Sequence, residues 1–215
     1  QLTLDLKFQG AVILFSWPSK ATVGSYLRDE EEVTLSEQHL IDLLNTLEQM
    51  QRGARVHLVA HSMGAQLLFN ALQKLSPDWR NRKPPVFQNI VLAAPDINRQ
   101  LFEQIFPAIR GLAEHYTLYA SSNDNALKVA KGLRGYPRLG EAGADLLVTD
   151  GLISIDASVT DTSVLGHSYY RQNASIISDL YSLVALNLPP NKRFGLEERG
   201  SETKRWWAFR RTDGK

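Results

Sequence analysis

One stretch constrains this chain more than any other. The mostly apolar run 56–60, Val-His-Leu-Val-Ala, stops abruptly at His61-Ser62-Met63-Gly64. A helical pattern begins directly behind it, with Leu67, Leu68, Ala71, Leu72 and Leu75 on one side. A buried strand that turns into a helix with no intervening loop needs a sharp corner, so the residues flanking that corner must be small. Two before and two after Ser62 stand Ala60 and Gly64. In this layout the serine Oγ is lifted clear of the sheet edge. The N–H of Met63 and the helix N-terminus face the place where a reacting oxygen would sit. A serine there also suits a helix N-cap. The register of strand, small residues and helix favours a nucleophile, although the usual spacing, G-x-S-x-G, has glycine where this chain has Ala60.

The rest of the chain repeats the alternation of apolar run and helix. Residues 1–8 carry Leu2, Leu4, Leu6 and Phe8 at alternate positions, a strand pattern that also fits the end of a helix. Residues 11–15, Ala-Val-Ile-Leu-Phe, read as a strand buried on both faces and closed by Ser16-Trp17-Pro18. Thr34 and Glu37 match a capping box at the start of a helix that Gly53 closes. The elbow helix is expected to end at Ser76-Pro77. Further strands are expected over 89–94, 116–120 and 152–156, with a helix capped by Asn98 and a short one after Asp124. The glycine-bearing segment 132–151 reads as a functional loop over the carboxyl edge of the sheet, or as a solvated connector. A last helix runs from about Tyr169 to Pro189-Pro190. Strands alternating with helices predict an α/β fold with a mostly parallel sheet and helices on both faces. The expected division is a core over 1–188 and a polar tail over 189–215. Trp206 and Trp207 would dock that tail on the core.

Chemistry in such sheets gathers at the carboxyl ends of the strands. Those ends supply Ser16 and Trp17, Ser62, Asp96, Asp124 and His167. A serine hydroxyl needs an imidazole to take its proton and a carboxylate to orient that imidazole. Of the five histidines, only His167 follows the last core strand and sits in a Gly-His-Ser loop before a helix. His39 lies on a helix, His57 inside a strand, His61 beside the serine and His115 at the amino end of a strand. Asp124 and Asp96 both end strands and both qualify as the acid; the later strand favours Asp124, which also suits a helix cap. Met63 N–H is the expected oxyanion donor. Ser16, Trp17 and Asp96 are candidates for a substrate pocket.

Composition narrows the classes. The 215 residues carry a formal net charge of +1, so no bulk field draws the chain to nucleic acid or an anionic membrane. Hydrophobic content of 43% supplies an ample core, and the absence of cysteine excludes disulfides and thiolate chemistry. No apolar run approaches the roughly 18 residues of a membrane span.

Residues 15–19 (Phe-Ser-Trp-Pro-Ser), 60–64 (Ala-His-Ser-Met-Gly), 93–97 (Ala-Ala-Pro-Asp-Ile) and 165–167 (Leu-Gly-His) together resemble a bacterial branch of the α/β-hydrolases of undefined substrate. The Ala-His-Ser-Met-Gly form of the elbow is typical of that branch. The resemblance covers about residues 11–188 and implies hydrolysis of a carboxylic ester without a metal or organic cofactor. Family members carry a further strand, ending in a His-Gly turn that helps form the oxyanion hole, before the Phe-Ser-Trp-Pro-Ser strand. Ten residues precede Ala11 here and none is His-Gly. Residues 1–8 are then expected to be the end of the intervening helix, in a sheet lacking its first strands.

The expectation is a serine esterase using Ser62, Asp124 and His167, acting on a small-molecule ester as a monomer or weak oligomer. The alternatives are an acyltransferase with the same serine and a non-catalytic binding module of the same fold. The resemblance implies a bacterial cell, and the sequence is compatible with cytoplasm or cell envelope.

Overall fold

The computed structural model describes residues 10–20, 23–50, 53–159 and 174–210. The expected pattern over 1–8 and the candidate base His167 lie outside the described residues.

The first helix, α1 (Tyr26–Met50), is entered through a single 3₁₀ turn, Val23–Ser25. It begins eight residues before the expected capping box. Thr34 lies inside it with Oγ1 turned back toward the carbonyl of Glu30, and Glu37 pairs with Lys74 instead of capping. The start is fixed by Asp29 in the first turn, which accepts from Ser19 Oγ at 2.8 Å and Lys20 N–H at 3.0 Å. An acidic side chain there also opposes the positive end of the helix dipole. Val33, Leu40, Ile41 and Leu44 form its buried stripe.

Six strands follow: β1 (His57–His61), β2 (Phe87–Ala93), β3 (Ala113–Ala120), β4 (Leu152–Asp156), β5 (Leu196–Ser201) and β6 (Lys204–Phe209). Between them lie α2 (Met63–Trp79), α3 (Arg99–Ile109), α4 (Asn125–Arg134) and α5 (Ala174–Val184). Pro77 falls inside the final turn of α2, which ends two residues beyond the expected stop. The sheet order is β1-β2-β3-β4-β6-β5. All pairs are parallel except β5 with β6. Leu92 stands beside Ala60 on one side and Leu118 on the other, and Tyr119 beside Ile155. One face packs on residues of α1, α2 and α3 around Phe69, Phe102 and Phe106, and the other on Ile176, Leu180 and Leu183 of α5. This is the expected mostly parallel α/β arrangement with helices on both faces.

Three local expectations change. Residues 11–15 form no strand: Val12, Ile13 and Leu14 are 56%, 58% and 87% exposed. A strand exists only through its ladder, and among the described residues none lies beside this run; Phe15 and Trp17 alone pack on the core.

The tail, expected as a polar segment docked on the core through Trp206 and Trp207, is a hairpin of the sheet. Its β5–β6 hairpin is hydrogen-bonded into the sheet beside β4, and Leu196, Trp207 and Phe209 are buried in the second core cluster. Gly200 allows the hairpin end: its φ is +89°, and a Cβ there would stand 2.0 Å from the carbonyl oxygen of Lys204.

The third concerns 132–151, of whose two readings the solvated connector falls and the placement over the carboxyl edge of the sheet stands. Its middle is neither solvated nor loose. Leu139 N–H bonds to Ile97 O at 2.9 Å, Gly140 N–H to Pro95 O at 3.0 Å, and Ser121 N–H to Gly140 O at 2.9 Å. Arg138, Leu139, Gly140, Glu141 and Ala142 are buried. The segment is a strap laced across the carboxyl ends of β2 and β3.

Candidate active site

Ser62 sits between the last residue of β1 and the first of α2, with φ 51° and ψ −128°. A non-glycine residue holds such a conformation only when its surroundings impose it. They do so here from three sides. Ser62 N–H donates to Ala93 O at 3.1 Å, and its carbonyl accepts from Ala65 N–H at 3.0 Å and Asp96 N–H at 3.2 Å. Ser62 occupies the N-cap position, yet its hydroxyl makes no capping bond. Asn98 and Asp124, at the N-caps of α3 and α4, both do. The Met63 and Gly64 N–H groups have no hydrogen-bond partner among the described residues, as the first turn of a helix leaves them.

Around the serine the expected residues are placed as follows. A Cβ on Gly64 would stand 4.0 Å from Trp17 Nε1, so the indole lies against the elbow, while Ser16 is exposed. Asp96 follows β2 and is 2% exposed. Its Oδ2 accepts from Tyr26 Oη at 2.5 Å, and its Oδ1 accepts from Arg138 Nε. Arg138 Nη2 donates to the Asp96 carbonyl at 2.6 Å. Each carboxylate oxygen of Asp96 thus accepts a hydrogen bond from a side chain within the fold. Asp124 differs. Its Oδ1 caps α4 by accepting from Leu127 N–H at 3.0 Å, and its Oδ2 has no hydrogen-bond partner among the described residues.

His61 is turned inward next to the serine. Burial pushes its pKa below the ordinary value near 6.5, and the charge of Asp124 works against that shift. His57 is also held below its ordinary value, by burial and by Arg55, and its Nδ1 lies 2.9 Å from Asn89 Nδ2. His39 and His115 are exposed, His115 near the amino end of β3.

Tyr26 and Arg138 escaped the sequence reading. One comes from a polar connection and the other from a glycine-bearing loop, and neither carries a motif. Their only signal was an arginine set between apolar and glycine residues, Pro137-Arg138-Leu139-Gly140.

Among the described residues, no group of three or more His, Cys, Asp or Glu is arranged to hold a metal ion. No described helix is long and apolar enough to cross a membrane. A cleft of about 420 Å³ lined by Arg55, Arg82, Lys83 and Glu114 opens at the amino ends of β1 and β2, the opposite end of the sheet from Ser62.

Residues 1–184 match the family model described as alpha/beta hydrolase of unknown function (DUF900). The chain is also similar to the uncharacterized protein alr1448 of Nostoc sp., with 32% identity over 65 residues. That match covers 30% of this chain and 17% of the Nostoc protein, so the chain spans well under two thirds of that relative's length. No solved structure matches.

Proposed function

The chain belongs to the alpha/beta hydrolases of unknown function, and on that premise we propose that it is a serine hydrolase cleaving a carboxylic ester through an acyl-enzyme. The observation that carries the reading is the backbone of Ser62: φ 51° and ψ −128° at a strand-to-helix corner, with a hydroxyl that does not cap the helix. A strained serine whose hydroxyl leaves the helix uncapped, beside amides with no partner among the described residues, suits acyl transfer.

In this reading Ser62 Oγ attacks the ester carbonyl carbon while His167 takes its proton. The carbonyl π electrons move to oxygen, and Met63 N–H donates to that oxyanion. Collapse breaks the C–O bond, and His167 returns the proton to the departing alcohol. Water, deprotonated by the same imidazole, then releases the acid and regenerates Ser62. Asp124 orients the imidazole through Oδ2, the oxygen that α4 leaves unclaimed; Asp96, with both oxygens held, is not assigned that role. Trp17 forms one wall beside the elbow. Each oxyanion donor is worth about 100- to 1000-fold in rate.

The test is labelling by a fluorophosphonate probe, paired with hydrolysis of p-nitrophenyl esters of short and medium acyl chain. Labelling and turnover that both vanish in Ser62→Ala and His167→Ala support the reading. A folded wild-type chain that neither labels nor turns over leaves the fold serving some purpose other than acyl transfer.

A further inference from the structure

The 62–63 peptide unit joins two jobs. A trans peptide is planar, so its C=O and N–H point in opposite directions. Whatever holds the Ser62 carbonyl therefore aims the Met63 N–H. Two donors hold that carbonyl: Ala65 N–H, from the helix turn itself, and Asp96 N–H, from the chain leaving β2. The first travels with the elbow. The second is external to it, and its position depends on what fixes Asp96.

Asp96 is fixed from two distant parts of the chain. Arg138, on the strap, forks onto it, with Nε to Oδ1 and Nη2 to the Asp96 carbonyl oxygen. Tyr26, at the start of α1, donates to Oδ2. Both side chains of the ion pair are almost wholly buried, 2% and 3% exposed. A lone buried charge would be costly, and a planar guanidinium matched to carboxylate and carbonyl is the geometry that compensates it. Burial, together with the hydrogen bond and charge of Asp96, holds the Tyr26 phenol well above its ordinary pKa, so it stays a donor. The strap is itself locked: Gly140 lies so close to the Ala94–Pro95 peptide that a Cβ there would stand 2.8 Å from Ala94 C and 2.9 Å from Pro95 N. The ring of Tyr136 faces the Arg138 guanidinium at 5.3 Å.

We propose that Arg138 is a positioning residue for the reaction: through Asp96 it fixes the Ser62–Met63 peptide and so aims the oxyanion donor. The arginine also neutralises a carboxylate that would otherwise stand, unpaired, one hydrogen bond from the peptide expected to stabilise negative charge. Arg138 touches neither substrate nor nucleophile; it acts through the backbone of Asp96. The inference rests on Ser62 being the nucleophile.

The experiment compares wild type with Arg138→Met, Arg138→Lys and Tyr26→Phe in the same chain. Three quantities are read: the second-order rate of fluorophosphonate labelling, kcat and KM on a p-nitrophenyl ester, and amide hydrogen exchange over the 60–66 segment. Circular dichroism and thermal melting establish that each variant is folded. Misaiming one donor predicts a loss of about 10- to 100-fold in labelling rate and kcat for Arg138→Met. KM should stay within about two-fold, since the lost contact acts in the transition state. Exchange at Ser62 and Ala65, whose N–H groups are hydrogen-bonded at the elbow, should quicken. Arg138→Lys, which keeps the charge but not the fork, should recover part of the loss, and Tyr26→Phe should show a smaller one. Folded Arg138→Met with wild-type labelling and exchange overturns the proposal. Should Arg138→Met fail to fold, Tyr26→Phe decides: unchanged labelling and exchange overturn it equally. Should wild type itself fail to label, the hydrolase reading falls. Hydrogen exchange alone then judges the clamp, and unchanged exchange at the elbow in the variants refutes it.

Discussion

The backbone N–H of Asp96 donates to the carbonyl oxygen of Ser62 across 3.2 Å. This one bond ties the corner after β1 to the corner after β2. It brings the strap, α1 and the candidate nucleophile into a single hydrogen-bonded unit. Ser62 and Ala94, both non-glycine residues at positive φ, stand at neighbouring strand ends. Each is gripped from the adjacent strand: Ser62 N–H by Ala93 O, and Ala94 N–H by Tyr119 O at 2.9 Å.

The strain at Ser62 is measurable without any substrate. Ser62→Gly and Ser62→Ala both remove Oγ, but only glycine relaxes at φ 51°. Ser62→Gly should be the more stable of the two by about 1 kcal/mol, as strain at such positions is of order 1–3 kcal/mol. Paired urea denaturation curves check this, and an alanine variant as stable as the glycine variant would deny the strain.

Stability should fall with acid in a window set by two histidines. His57 and His61 are held below their ordinary value near 6.5 in the folded chain. Below pH 6.5 the unfolded chain takes up protons that the folded one refuses. The stability these residues contribute is thus full above that pH and is lost as pH falls toward their lowered folded values. Urea midpoints at pH 7.5 and 5.5 should show a smaller drop in a His57→Gln/His61→Gln double variant than in wild type. Asp124→Asn removes the charge that opposes the His61 shift, so its midpoint should fall more steeply with acid.

Gly140 leaves no room for a side chain. In Gly140→Ala the new methyl would meet Leu127 Cδ1 at 2.6 Å and the backbone atoms Ala94 C and Pro95 N at 2.8 and 2.9 Å. The backbone cannot yield as a side-chain tip can. A loss of about 1–3 kcal/mol is expected, together with slower labelling of Ser62. Thermal melting and probe kinetics on the same sample would test both.

The two adjacent tryptophans near the C-terminus should behave differently. Trp207 is buried against Tyr119, Ile155 and α5, whereas Trp206 is partly exposed on the opposite side of β6. Trp207→Ala should cost about 3–5 kcal/mol and Trp206→Ala far less. Equal effects in chemical denaturation would contradict the hairpin's place in the sheet.

The sequence by itself determined the features that are local. Strand-corner-helix at Ser62 follows from contiguous residues, as do the parallel core strands β1 to β4 and the helix cap at Asn98. Each is written in apolar periodicity, small residues or a single capping side chain. Asp124 was also legible as the carboxylate after a later strand, because both its capping and its exposure depend on its own neighbourhood.

Tertiary structure decided whatever depends on a partner distant in the chain. Residues 11–15 carry the composition of a buried strand, but a ladder needs a neighbour, and none lies beside them among the described residues. Thr34 and Glu37 match a capping box, yet α1 starts upstream because Asp29 is gripped by Ser19 and Lys20. The hairpin of β5 and β6 looked like a polar tail, since an edge pair exposes half its side chains and only contact with β4 shows which half is buried. Above all, the sequence ranks Asp96 and Asp124 only by the order of the strands they end. Arg138, 42 positions away, and Tyr26, 70 positions away, occupy both oxygens of one and leave the other partly free. A long-range ion pair leaves no periodicity, so only the folded chain shows that Asp96 is held by Arg138 and Tyr26.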